Sequence, residues 1–161
     1  MKKIILGAIA CLFIMCSPIK TEVRDDFRSS TEQQKKVFLK EINGTSDSKS
    51  VLVLTKGYKG EKIIATQEGK TIYSKYPITN LKTHLADYFS FDNTKDLLIY
   101  DNFSKQEIII ESKKATKYKF IYLRKDYKKE GATYKVTFSN TLRAMWKNWI
   151  IFAERKIIEN T

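Results

Sequence analysis

The sequence predicts an α+β domain: a mainly antiparallel sheet of about seven strands with an N-terminal, a middle and a C-terminal helix. Three observations point there. Short apolar runs follow one another between residues 50 and 139, separated by turn residues, as strands in quick succession do. Three other stretches carry apolar residues at spacings of three and four, the period of an amphipathic helix. The chain has 161 residues, 42% hydrophobic and 12% aromatic, enough for one core, and only 6 Gly and 2 Pro, which excludes collagen-like and low-complexity classes. A β-sandwich with helical additions is the rival architecture.

Each element has its own signal. Ser29-Ser30-Thr31-Glu32 matches an S-x-x-E capping box and opens a helix over 30–42, with Val37, Phe38, Glu41 and Ile42 sharing a face. Asn43-Gly44 ends it. Residues 50–56 (SVLVLTK) are continuously apolar, as a strand covered on both faces is. Residues 61–66 and 70–76 read as a hairpin through Gln67-Glu68-Gly69. Leu81, Leu85, Tyr88 and Phe89 predict the middle helix over 79–89. Strands are expected at 96–101, 106–112, 117–124 and 133–139, with a lysine-bearing loop over 125–132.

In the last two strands Tyr118, Phe120 and Tyr122 alternate with Lys117 and Lys119. Tyr134, Val136 and Phe138 alternate with Lys135 and Thr137. The expectation is one aromatic face, serving as core, and one basic face. Lys117, Lys119 and Lys135 form the candidate basic surface. Residues 141–159 place Leu142, Met145, Trp146, Trp149, Ile150, Ala153 and Ile157 at helical spacing. Such a helix covers an open sheet face, or offers Trp146, Trp149 and Ile150 to a membrane surface or partner.

The charge is +12, from 30 basic against 18 acidic residues, and the basic side chains are 25 Lys and 5 Arg. Lysine is a hydrated point charge without the planar fork of arginine. The excess therefore favours a diffuse attraction to acidic lipid, glycan or protein over base-specific reading of nucleic acid. A solvated lysine-rich surface explains the same count without any ligand.

Met1-Lys2-Lys3 followed by an uncharged, mostly apolar run from Ile4 to Ile19 has the form of a secretory signal. Leu12-Phe13-Ile14-Met15-Cys16-Ser17 sets a cysteine at the end of the apolar run. This segment resembles a bacterial lipoprotein signal, although Phe13, Ile14 and Met15 stand where that pattern prefers Leu, a small residue and Gly or Ala. The resemblance implies a signal peptide over 1–15 and lipidation of Cys16; the polar, mixed-charge stretch that follows reads as a tether, giving a lipidated Cys and tether over 16–29 and one globular domain over 30–161. The resemblance also implies anchoring in the bacterial cell envelope, at the outer membrane. With Cys16 as the lipidated first residue, the chain keeps no free thiol and its net charge falls to +10.

Catalytic patterns are sparse. His84 is the sole histidine, with Asp87 one predicted turn away and no G-x-S-x-G elbow. Asp92, Asp96 and Asp101 lack the EF-hand spacing, and no phosphate-binding glycine loop is present. The expectation is a non-enzymatic envelope lipoprotein without metal or cofactor, binding or scaffolding an envelope partner. Alternatives are a secreted module for acidic glycan or lipid, and a hydrolase with a carboxylate pair.

Overall fold

The computed structural model describes residues 19–128 and 131–144. Nine strands and two helices follow in the order β1 (Lys20–Val23), α1 (Glu32–Glu41), β2 (Lys49–Leu54), β3 (Ile63–Gln67), β4 (Lys70–Lys75), β5 (Asp87–Asp92), β6 (Leu97–Asp101), β7 (Gln106–Ile110), α2 (Ser112–Ala115), β8 (Phe120–Lys128) and β9 (Gly131–Ser139). They form a five-stranded sheet, β1-β9-β8-β2-β5, and a four-stranded sheet, β4-β3-β6-β7. β1 runs parallel to β9 and β2 parallel to β8; the other pairs are antiparallel.

The apolar run in β2 explains the layering. Leu52 and Leu54 enter a core shared with Ile63, Ala65, Leu97, Ile99, Ile108 and Ile110 of the second sheet. Val51 and Val53 point the other way, onto Phe38 and Leu39 of α1 with Phe120, Tyr122 and Leu142. The five-stranded sheet is thus a middle layer, buried on both faces. Each such side chain contributes about 1.5–3 kcal/mol on leaving water.

Four expectations change. Residues 79–89 are not a helix. Asp87–Asp92 pairs with β2, from Leu54 opposite Asp87 to Lys49 opposite Asp92. Before it, Asn80 Oδ1 accepts from the backbone N–H of Lys82 and Thr83, and His84 sits at φ 56°. Leu81, counted toward the helical stripe, is 84% exposed. Pairing wins because β2 would otherwise leave a row of buried backbone groups unbonded, and Tyr88, Phe89 and Phe91 suit a strand. Second, residues 20–23, expected within a polar tether, form edge strand β1. Thr137 Oγ1 donates to Glu22 and Ser139 Oγ to Asp25, which binds this segment to β9.

Third, the aromatic residues of β8 and β9 do not share a face. Tyr122 pairs with Thr137 and Leu123 with Val136. That register sends Phe120 and Tyr122 toward α1, and Tyr134, Val136 and Phe138 toward the second sheet. With both faces covered, no solvent side forces the two aromatic sets together. Fourth, Lys125 lies inside β8 rather than in a loop. The N-terminal helix forms as expected, but Thr31 caps it: its Oγ1 accepts from Gln34 N, and Gln34 Oε1 accepts from Thr31 N. Residues 145–159 of the predicted C-terminal helix, with Trp146, Trp149 and Ile150, lie outside the described residues, as does Cys16. Among the described residues no helix is long and apolar enough to cross a membrane.

Candidate anion-binding pocket

The expected basic surface is divided. Lys119 Nζ donates to the carbonyls of Ser46 at 2.7 Å and Lys49 at 2.8 Å, so it latches a loop. Burial lowers its pKa, against the pull of Asp47. Lys117 shares a hollow with Lys119, Lys35 and Lys49. Lys135 belongs to another pocket, where Glu22 neutralises it at 2.8 Å.

That other pocket, about 230 Å³, opens on the α1 side of the five-stranded sheet. β1 supplies Glu22, β8 supplies Tyr122 and Arg124, and β9 supplies Lys135 and Thr137. Arg24, Phe27, Lys56, His84 and Arg143 close the sides. Five cations face one lining carboxylate. Three are already paired: Lys135 with Glu22, Arg24 with Asp26 at 2.5 Å and Arg124 with Asp126 at 2.8 Å. Lys56 and Arg143 have no carboxylate within ion-pair distance among the described residues.

Arg143 is held with care. Its guanidinium carbon lies 3.7 Å from the Phe27 ring centre and 4.0 Å from that of Tyr122. Its backbone N–H donates to Tyr122 Oη, which in turn donates to Thr141 O. Ser30 N donates to Leu142 O and Ala144 N to Arg28 O, tying this segment to the strand-like stretch before α1. Yet Arg143 Nε is buried without a hydrogen-bond partner among the described residues. Burial lowers the Arg143 pKa and pushes the Tyr122 hydroxyl up to about 12, so an arginine this basic stays charged and the phenol stays protonated at neutral pH. A buried donor left open costs about 1–3 kcal/mol, which an incoming acceptor would recover.

Lys56 is fixed from the opposite side. Its carbonyl accepts from Lys125 N at 3.0 Å, and the next residue, Gly57, has φ 93°. A Cβ at Gly57 would fall 1.8 Å from the Lys125 carbonyl oxygen, so only glycine fits.

Lys125 heads a second charged cluster, closed to solvent. Its side chain is 0% exposed and its ammonium meets Glu61 and, at 2.6 Å, Asp101. Tyr134 donates to Asp101, Tyr127 donates to Glu61, and Ser104 meets the Tyr134 hydroxyl at 3.1 Å. Burial raises the carboxyl pKa values of Glu61 and Asp101, but the hydrogen bonds from Lys125 and the tyrosines outweigh it and leave both lowered. Burial likewise opposes the Lys125 charge, and the two carboxylates outweigh it and raise the pKa. The cluster joins β6, β8, β9 and the loop before β3, locking the two sheets together. A general acid needs a raised carboxyl pKa and access to substrate, and these acids have neither.

His84 lines the pocket on a turn, not beside Asp87 on a helix. Asp87 instead accepts from the Tyr73 hydroxyl at 2.9 Å. Asp92 accepts from Thr94, Asp96 from Ser112 N, and Asp101 binds Lys125, so the three acids serve separate tasks. Sequence reasoning missed Arg143 and Lys56. Neither has a motif; the site exists only once β1, β8, β9 and the segment after β2 are side by side. The chain matches no protein-family model, and it has no detectable similarity to a curated protein.

Proposed function

We propose that this protein is an exported, lipid-anchored, non-enzymatic domain that binds an anionic group: a sulfate, phosphate or carboxylate carried by an acidic glycan or lipid. Cys16 and the apolar segment before it support the anchor. The pocket supports the ligand class. One observation carries it: Arg143 is stacked on two rings and pinned through its backbone, with a buried Nε that has no partner among the described residues. Its donors are pre-ordered, so little conformational entropy opposes their use. Lys56 adds a second charge without a carboxylate partner among the described residues, and the paired cations add a positive surround. Carboxylate-pair hydrolysis has less support, because among the described residues the acids that converge on Lys125, Glu61 and Asp101, are enclosed and held ionised there.

Titration calorimetry with a heparin oligosaccharide, a dense sulfate source, tests the ligand class. Arg143→Ala is expected to weaken binding by about tenfold to a hundredfold, the worth of one or two charged hydrogen bonds. Lys56→Gln is expected to cost about tenfold or less, and Lys117→Gln nothing. Equal affinity in all four proteins would refute the pocket. For the anchor, labelled palmitate is expected to enter the parent chain and not Cys16→Ala; equal labelling would refute it.

A further inference from the structure

We infer that the end of the molecule carrying Phe103, Tyr127 and Ile78 is a docking surface for an anionic lipid membrane. Six residues there close a circuit of neighbours. Phe103 meets Tyr127 edge-on at 6.3 Å. Lys59 Nζ lies 4.3 Å from the Tyr127 ring centre, and Lys59 pairs with Ile78 in a bridge. Ile78 follows Tyr76 by two residues, and Lys62 lies over the Tyr76 ring at 6.0 Å. Lys62 O accepts from Asn102 N, which returns the circuit to Phe103. Phe103 is 64% exposed, Tyr76 64% and Ile78 67%. Single exposed apolar residues are ordinary, whereas a contiguous set ringed by cations marks a binding surface.

The charge pattern selects a lipid surface as occupant. Lys59 and Lys62 have no carboxylate partner among the described residues. The carboxylate between them in sequence, Glu61, is turned inward onto Lys125. Rings and an aliphatic side chain at headgroup depth, with lysines beside them reaching anionic phosphates, is the arrangement that holds proteins at an interface. The path of the chain agrees. β1 begins at Lys20, level with Lys135, and runs parallel to β9, so its N-terminal end points toward the β8–β9 hairpin end where Tyr127 lies. Cys16 is four residues earlier, a reach of roughly 14 Å at most. Only this orientation argument rests on the anchored reading; the surface stands without it.

The test is flotation of the full chain with vesicles of phosphatidylcholine alone and with added phosphatidylglycerol. With the anchor removed by Cys16→Ala, the chain is expected to bind the anionic vesicles at least about tenfold better, with the increment falling as salt rises. Lys59→Gln with Lys62→Gln is expected to remove most of that increment. Ile78→Ser alone is expected to reduce binding several-fold. The anchor itself is read on phosphatidylcholine alone, where the parent is expected to float and Cys16→Ala is not, so failure of the anchor and failure of the surface read separately. Arg143→Ala is expected to keep the increment. Equal binding of Cys16→Ala to both vesicle types would overturn the inference and leave the surface to a protein partner. Loss of the increment in Arg143→Ala, with Lys59→Gln/Lys62→Gln unaffected, would overturn it too and move the headgroup into the pocket.

Discussion

Lys125 is fully buried and Arg143 half-buried, yet the chain treats the two cations in opposite ways. Lys125 is surrounded by Glu61 and Asp101, with Tyr127 and Tyr134 completing the hydrogen bonds. Arg143 has aromatic rings on its faces, and among the described residues it has no carboxylate partner and its buried Nε no hydrogen bond. The first arrangement uses up every interaction within the chain and fastens two sheets. The second holds a charge in position without using its side-chain donors on any other described residue. What separates the two is whether the surrounding chain already satisfies the charge.

The largest expected effect falls on the closed cluster. Lys125→Met leaves two carboxylates facing each other without a counter-ion, and is expected to cost about 3–5 kcal/mol of stability in urea unfolding at pH 7. A loss below about 1 kcal/mol would mean that the cluster is hydrated rather than sealed. The Gly57→Ala variant comes next, at about 3 kcal/mol, since its Cβ collides with the Lys125 carbonyl at positive φ.

The pH dependence sharpens the same contrast. Glu61 and Asp101 have lowered folded values, so their stabilisation is present above the unfolded value of about 4 and is lost as pH falls through the folded values. Lys125 has a raised folded value, so its contribution is present below the unfolded value of about 10.4 and is lost as pH rises through the folded one. Unfolding free energy from this cluster is thus flat between about pH 5 and 10. Without Lys125 the two acids prefer to be neutral, so the deficit of Lys125→Met is expected to shrink between pH 7 and pH 3. A deficit that stays constant would contradict the ionised assignment. The smallest effect is expected at Lys119, where Lys119→Gln loses a loop latch at about 1 kcal/mol or less and leaves anion affinity unchanged.

Local pattern carried much of the fold. The seven expected strands correspond to β2, β3, β4, β6, β7, β8 and β9, and the helix before Asn43-Gly44 is present. β5 was obscured because Leu81, Leu85, Tyr88 and Phe89 also satisfy a helical period, and only the free edge of β2 decides between them. β1 has a polar, mixed-charge sequence whose partner lies more than a hundred residues away. Lys125 was legible in principle: it continues the inward alternation of Ile121 and Leu123, and a lysine there implies buried acids. The pocket was not legible, because Arg143, Lys56 and Phe27 meet only through long-range pairing of β1, β8 and β9.

The central claim, that Arg143 is an open donor awaiting an anion, is tested most directly by the arginine side-chain Nε–H signals in a ¹⁵N NMR titration with inorganic phosphate. The Arg143 signal, assigned by its loss in Arg143→Lys, is expected to move saturably, while that of Arg28, a residue outside the pocket, stays in place. An Arg143 signal that does not move, or arginine signals that all drift together without saturating, would contradict the account.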